Sequence, residues 1–153
     1  MKEKITKNSE ETIYLGRKLG YLLKDGDVVL LDGTLASGKT TFTKGIGLSL
    51  GIERTISSPT FTILKHYEMD DVSLYHLDLY RLDGENHDFD LEDYISGDGI
   101  TVIEWPFNVR SILPKKYLLV QFEIINDNER KIKFIPYGEH YERVLFYLWK
   151  VYF

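Results

Sequence analysis

The sequence predicts an α/β fold: a mostly parallel central sheet flanked by helices, with a C-terminal β-hairpin and helix. Three observations carry this. Val28-Val29-Leu30-Leu31 is an unbroken apolar run of strand length, the pattern of a strand covered by helices on both faces. A glycine-rich turn and a helical pattern follow it directly. Extended and helical patterns continue until two β runs meet across a polar turn near the C-terminus.

The elements follow in order. Residues 9–24 read as a helix, because Leu15, Leu19, Leu22 and Leu23 share one face. Asn8 and Glu11 offer a capping box, and Asp25-Gly26 stops the helix. After the apolar strand, a second helix starts near Lys39 and ends before Gly51, with Phe42, Ile46 and Leu50 on one side. Gly45 and Gly47 weaken it locally but permit close packing. Extended segments are expected at 60–67 and 73–79, and a short helix within 83–98 carrying Leu91, Tyr94 and Ile95. Ile100-Thr101-Val102-Ile103 reads as a second buried strand, and Pro106 and Pro114 bracket a connection. Tyr117–Ile125 and Lys131–Ile135 flank Asn126-Asp127-Asn128-Glu129 as a hairpin. The tail from Glu139 reads as a helix with Val144, Leu145 and Leu148 on its core side.

Composition narrows the function. At 153 residues, without repeats, low-complexity tracts or a linker, the chain predicts one domain over 1–153. Lys plus Arg number 19 against 24 Asp plus Glu, a net charge of −5, which disfavours a broad nucleic-acid face. There is no cysteine, which excludes disulfides, thiolate metal sites and a cysteine nucleophile. No apolar run approaches the roughly 18 residues of a membrane span, and the start Met1-Lys2-Glu3-Lys4-Ile5 lacks a signal-peptide core. A cytoplasmic protein is expected.

The chemistry sits in the turn after the first buried strand. Gly33-Thr34-Leu35-Ala36-Ser37-Gly38-Lys39-Thr40 fits G-x-x-x-x-G-K-[ST], entered by a strand and left by a helix. The glycines let successive N–H groups converge on phosphate oxygens, and the helix adds the positive end of its dipole. Lys39 suits the β- and γ-phosphates, and the Thr40 hydroxyl suits Mg²⁺. The fold expectation sharpens to a P-loop NTPase-like domain.

Mg²⁺ takes oxygen ligands and commonly one or two carboxylates. Asp78 and Glu104 both end strand-like segments, where ligands of open α/β sheets gather. Glu104 is favoured for the metal because its strand reads as more deeply buried, leaving Asp78 to orient water or contact the metal shell. Neither the D-x-x-G nor the N-K-x-D element of G proteins is present, which favours ATP by elimination. A small-molecule kinase and a non-hydrolysing, nucleotide-controlled interaction module remain as alternatives. Against the kinase, Arg54, Arg81, Arg110, Arg130 and Arg143 are scattered rather than gathered in a lid.

Leu15-Gly16 with Gly26-Asp27, then GTLASGKTTFTKGIG, SSPTFTI, HLDLYRL and VIEWP, occur in an order and spacing that span residues 8–107. In these strings the chain resembles the bacterial TsaE family of tRNA threonylcarbamoyladenosine biosynthesis. The resemblance implies an Mg²⁺-dependent ATPase that works with TsaB and TsaD, reaching tRNA only through that complex. It places the phosphate loop on Gly33–Thr41, including Thr41, and Mg²⁺ on Thr40 and Glu104. It further implies a hydrolytic role for Asp78, a switch-like loop containing Thr60, and Trp105 beside the nucleotide or switch. Nucleotide contacts are implied near Ser9 and Asn128. Two departures from the family pattern stand out: Thr34 and Ala36 replace an acid and a glycine of GDLGAGKT, and Phe107 follows EWP where a polar or acidic residue is common.

Other features read more plainly. The acidic stretch Asp83–Asp98 reads as a solvated loop, with a docking patch for a basic partner as the alternative. His66, His76, His87 and His140 show no ligand-pair spacing and read as structural or exposed. Arg81 reads as a salt-bridge partner, with charge stabilisation in the site as the alternative.

Overall fold

The computed structural model describes residues 1–53, 55–57, 63–82 and 98–153. Over those residues the order is β1 (Lys2–Thr6), α1 (Ser9–Gly20), β2 (Val28–Asp32), α2 (Lys39–Ser49), β3 (Leu64–Glu68), β4 (Ser73–Asp78), β5 (Gly99–Glu104), a 3₁₀ segment (Pro106–Ile112), β6 (Tyr117–Ile124), β7 (Arg130–Tyr137) and α3 (Glu139–Tyr152). Thr60, the Ser58-Pro59 turn, the expected short helix and the acidic stretch as far as Gly97 lie outside the described residues. No described helix is long and apolar enough to cross a membrane.

The strands form one sheet in the order β1-β7-β6-β2-β5-β4-β3. Its centre is parallel: β6, β2, β5 and β4 run the same way. Its margins are antiparallel, with β7 and β1 added at one side and β3 at the other. Short turns suffice for β3–β4 and β6–β7, whereas each parallel neighbour needs a crossover. Every residue of β5 is buried, which explains why its sequence reads as a continuous apolar run rather than an alternating one.

β2 splits the core by alternation. Val29 and Leu31 face a cluster with Leu15 and Leu19 of α1, Phe42 and Ile46 of α2, and Leu145 and Leu148 of α3. Val28 and Leu30 face the opposite cluster, with Leu77, Ile103, Leu119 and Val109 of the 3₁₀ segment. Hydrogen bonds anchor α3 at the base of β2. The Val28 amide donates to the Tyr141 hydroxyl at 2.9 Å, and His140 Nε2 meets the Asp27 carboxylate at 2.8 Å.

Two details depart from expectation. Helix α1 ends at Gly20 rather than at 24. The Leu22 amide donates to Leu19 and the Leu23 amide to Gly20, so the last turn tightens to i→i+3 bonds while Leu23 stays buried. At its start Asn8 Oδ1 accepts the Glu11 amide at 2.9 Å, but Glu11 Oε1 returns to the Lys7 amide rather than to that of Asn8. The second detail is β1, which no sequence pattern announced. It pairs along the edge of β7 from Lys2↔Phe134 to Thr6↔Arg130.

Helices α1 and α2 touch backbone to backbone. A Cβ built on Gly16 would lie 2.2 Å from the Phe42 carbonyl oxygen, and one on Gly45 would lie 2.0 Å from that of Ile13. This contact fixes where the start of α1 stands relative to the start of α2, and the site lies between those two starts.

Candidate nucleotide and metal site

Strands β2, β4 and β5 end side by side, with Leu31 opposite Glu104 and Glu104 opposite Asp78. The loop 33–38 leaves β2 there and delivers Lys39 and Thr40 as the first residues of α2. Gly38 sits at φ 108°, a conformation that only glycine takes without strain. A Cβ on Gly33 would fall 2.6 Å from Ser37 Oγ, so the loop closes tightly over that residue.

Ala36 also has positive φ, at 61°. An L-residue in this region costs about 1–2 kcal/mol, partly offset by the extra unfolded-state entropy of glycine. Ala36→Gly is therefore expected to raise the unfolding free energy by about 0.5–1 kcal/mol, read from the urea midpoint. A lowered midpoint would show that the loop holds no such strain.

A cleft of about 840 Å³ opens over the loop. Of the positions singled out from the sequence, Leu35, Ala36, Ser37, Gly38, Lys39, Thr40 and Thr41 line it from the loop and α2. Asp78, Glu104 and Trp105 line it from the strand ends, and Ser9 and Asn128 from the start of α1 and the hairpin turn. Gly33 and Thr34 do not line the cleft; their carbonyl oxygens accept from Lys39 Nζ at 2.5 and 2.9 Å. The Lys39 ammonium also stands 4.1 Å from the centre of the Trp105 ring. Burial pushes its pKa down, against the raising fields of Glu104, Asp78 and Asp32. Trp105 reaches this place from a left-handed backbone at φ 56°.

Glu104 is nearly inaccessible, at 3 % exposure. The Thr40 hydroxyl donates to its Oε2 at 3.1 Å and approaches Oε1 at 3.4 Å. Asp78 is half-buried and accepts the Tyr80 amide at 2.9 Å. A hydroxyl and two carboxylates are hard oxygen donors, which suits Mg²⁺ rather than a softer metal. Among the described residues no cluster of three or more His, Cys, Asp or Glu forms a protein-only metal cage, so an ion here would take its remaining ligands from phosphate and water. Ser37 Oγ is buried in the loop without a hydrogen-bond partner among the described residues, a donor that a phosphate oxygen would satisfy.

Sequence reasoning missed two side chains. Arg130, at the start of β7, donates to the carbonyls of Asn126 and Glu129 at 2.7 and 2.9 Å and to Ala36 at 3.2 Å. It thereby straps the hairpin turn to the phosphate loop. The turn itself is held by Asn126 Oδ1, which accepts the amides of Asn128 and Glu129. The second is His76, wholly buried, whose Nε2 lies 2.5 Å from Glu104 Oε2. His76 stands two residues before Asp78 and shares its sheet face, but its partner Glu104 is 28 residues away in sequence. Arg81 lines the cleft as well. His66 stacks on Tyr75, and His140 is the Asp27 partner.

Comparison with known proteins converges on one family. The family model for threonylcarbamoyl adenosine biosynthesis protein TsaE matches residues 6–132. The chain is 42% identical over 137 residues to the tRNA threonylcarbamoyladenosine biosynthesis protein TsaE of Bacillus subtilis (strain 168), covering 90% of this chain and 87% of that protein. It is 40% identical over 130 residues to the protein of the same name from Treponema pallidum, covering 84% and 96%. The crystal structure of Bacillus subtilis YdiB matches with a TM-score of 0.87 at 36% identity, over 97% of this chain and 94% of that one.

Proposed function

The chain belongs to the TsaE family of threonylcarbamoyl adenosine biosynthesis proteins, and we propose that its cleft binds and hydrolyses ATP with Mg²⁺ in the service of that modification. On this reading it acts in the cytoplasm beside TsaB and TsaD. The threonylcarbamoyl group goes to the adenosine next to the anticodon of ANN-decoding tRNAs, which this acidic chain meets only through the complex. The observation that carries the reading is the meeting of Lys39, Thr40 and Glu104 where β2 and β5 end, under the loop amides.

The loop amides and Lys39 hold the phosphates, Lys39 exchanging the carbonyls of Gly33 and Thr34 for phosphate oxygens. Thr40 and Glu104 would hold Mg²⁺, which would supply positive charge to the phosphoryl oxygens. Asp78, more open than Glu104, is placed to orient a water toward the terminal phosphorus. Ser9 and Asn128, at the far side of the cleft, face the nucleoside end. Thr60, outside the described residues, is proposed to respond to the γ-phosphate and to a partner.

The test is reconstituted tRNA modification with and without this protein, with ATP turnover recorded in parallel. Modification that proceeds equally without it would overturn the reading. Two variants separate the carboxylates. Glu104→Gln is expected to raise the Mg²⁺ concentration needed for nucleotide binding, while Asp78→Asn keeps binding and loses about a hundredfold in turnover. The reverse pattern in a Mg²⁺ titration would exchange their roles.

A further inference from the structure

The most buried polar pair in the described residues joins Glu104 to a histidine that the proposed hydrolysis does not use. His76 has no solvent exposure and Glu104 almost none, and their sheet face carries the apolar Leu74 and Val102. The alternation of β4 puts His76 on the face that carries Asp78. The β4–β5 register sets Asp78 opposite Glu104, and His76 opposite Val102, two residues earlier. The imidazole therefore reaches along the sheet to the carboxylate from below, while Thr40 reaches it from α2. Nε2 meets Oε2 at 2.5 Å, whereas Nδ1 is buried with no hydrogen-bond partner among the described residues. Glu104 offers an acceptor to Nε2 and nothing described offers one to Nδ1, so the ring places an N–H on Nε2 and donates it to Glu104.

We propose that His76 is a positioning residue for the divalent cation: its Nε2–H fixes the Glu104 carboxylate in the orientation that receives the ion beside Thr40. Without the imidazole, Thr40 would be the one described side-chain donor to Glu104. A carboxylate so held is free to rotate about its terminal torsion, which is intrinsically soft. With it, Oε2 is occupied by two donors, and Oε1 keeps only the longer contact to Thr40. That oxygen is the one left for the cation or its water. A purely structural histidine would affect folding alone; a leucine would fill the volume but leave the buried Glu104 carboxylate with one donor fewer. The inference rests on Glu104 and Thr40 being the metal side of the site.

The experiment measures Mn²⁺ binding to the full chain with ADP, from the free-Mn²⁺ electron paramagnetic resonance signal, and ADP binding in EDTA by calorimetry. His76→Leu is expected to weaken Mn²⁺ binding about 10–100-fold, while metal-free ADP affinity stays within about twofold of wild type. His76→Gln, whose amide nitrogen has the reach of Nε2, is expected to recover most of the loss. Should His76→Leu fail to fold, His76→Asn, whose amide stops short of Glu104, takes its place. Wild-type Mn²⁺ affinity in the Leu or Asn variant, or a Gln variant no better than either, would overturn the proposal. Wild-type affinity in Glu104→Gln would remove the metal reading itself, and so distinguishes the two failures.

Discussion

Lys39→Ala is expected to abolish measurable ATP turnover while leaving the chain folded. The ammonium stands inside the phosphate loop, held by the carbonyls of Gly33 and Thr34 and covered by Trp105. Preorganised donors aimed at developing charge in a dry site contribute about 3–4 kcal/mol each, so turnover should fall about 100- to 1,000-fold. ATP affinity should fall as well, because the same group meets the phosphates before reaction. Stability should move little. Burial already disfavours the charged side chain, which offsets much of what its two hydrogen bonds contribute. A steady-state ATPase assay in the presence of the partner proteins, beside a thermal melt, checks both halves. Wild-type turnover in a folded Lys39→Ala protein would defeat the phosphate-loop assignment.

What was legible in the sequence was whatever the chain states locally. Val28–Leu31 and Ile100–Ile103 announce buried strands because helices or loops cover both of their faces. The hairpin announces itself because Asn126 closes its own turn. Strand β1 gives no such signal. Lys2-Glu3-Lys4-Ile5-Thr6 exposes most of its side chains, and it is a strand because β7 offers an open edge. The antiparallel pairing of β3 with β4 was equally hidden, since pairing direction depends on which neighbour a strand meets. The site divides the same way. Gly33 to Thr40 is contiguous, so its spacing could be read directly. Ser9 and Asn128 were reached through family resemblance, and the structure puts both on the cleft wall. Arg130 and His76 escaped because their partners, Ala36 and Glu104, are distant in sequence and no motif records such a pairing.

The second large effect is expected far from any phosphate, at Gly45. Helix propensity alone favours Gly45→Ala by about 1 kcal/mol, because alanine loses less backbone entropy in a helix interior. Packing says the opposite. The added methyl would stand 2.0 Å from the Ile13 carbonyl oxygen and 2.7 Å from the Arg17 amide nitrogen. Both are backbone atoms of α1, so no side-chain rotamer can relieve the contact. The helices must separate, opening the layer in which Leu15 and Leu19 meet Phe42 and Ile46. Overpacking of this kind costs about 1–3 kcal/mol and more where backbone must move, so a net loss of about 3 kcal/mol is expected in urea unfolding. Leu48→Ala, on the exposed side of the same helix, is the control and should change stability by less than about 0.5 kcal/mol. The two principles give opposite signs at Gly45, so the sign alone decides between them. A stabilised Gly45→Ala variant would mean that α1 and α2 do not touch as described. The displacement should also reach the site, because α1 begins at Ser9 and α2 at Lys39, on opposite walls of one cleft. In the fraction that still folds, nucleotide affinity should therefore fall although no cleft residue has changed. Unaltered affinity would show that the glycine contact holds the helices together without setting the width of the site.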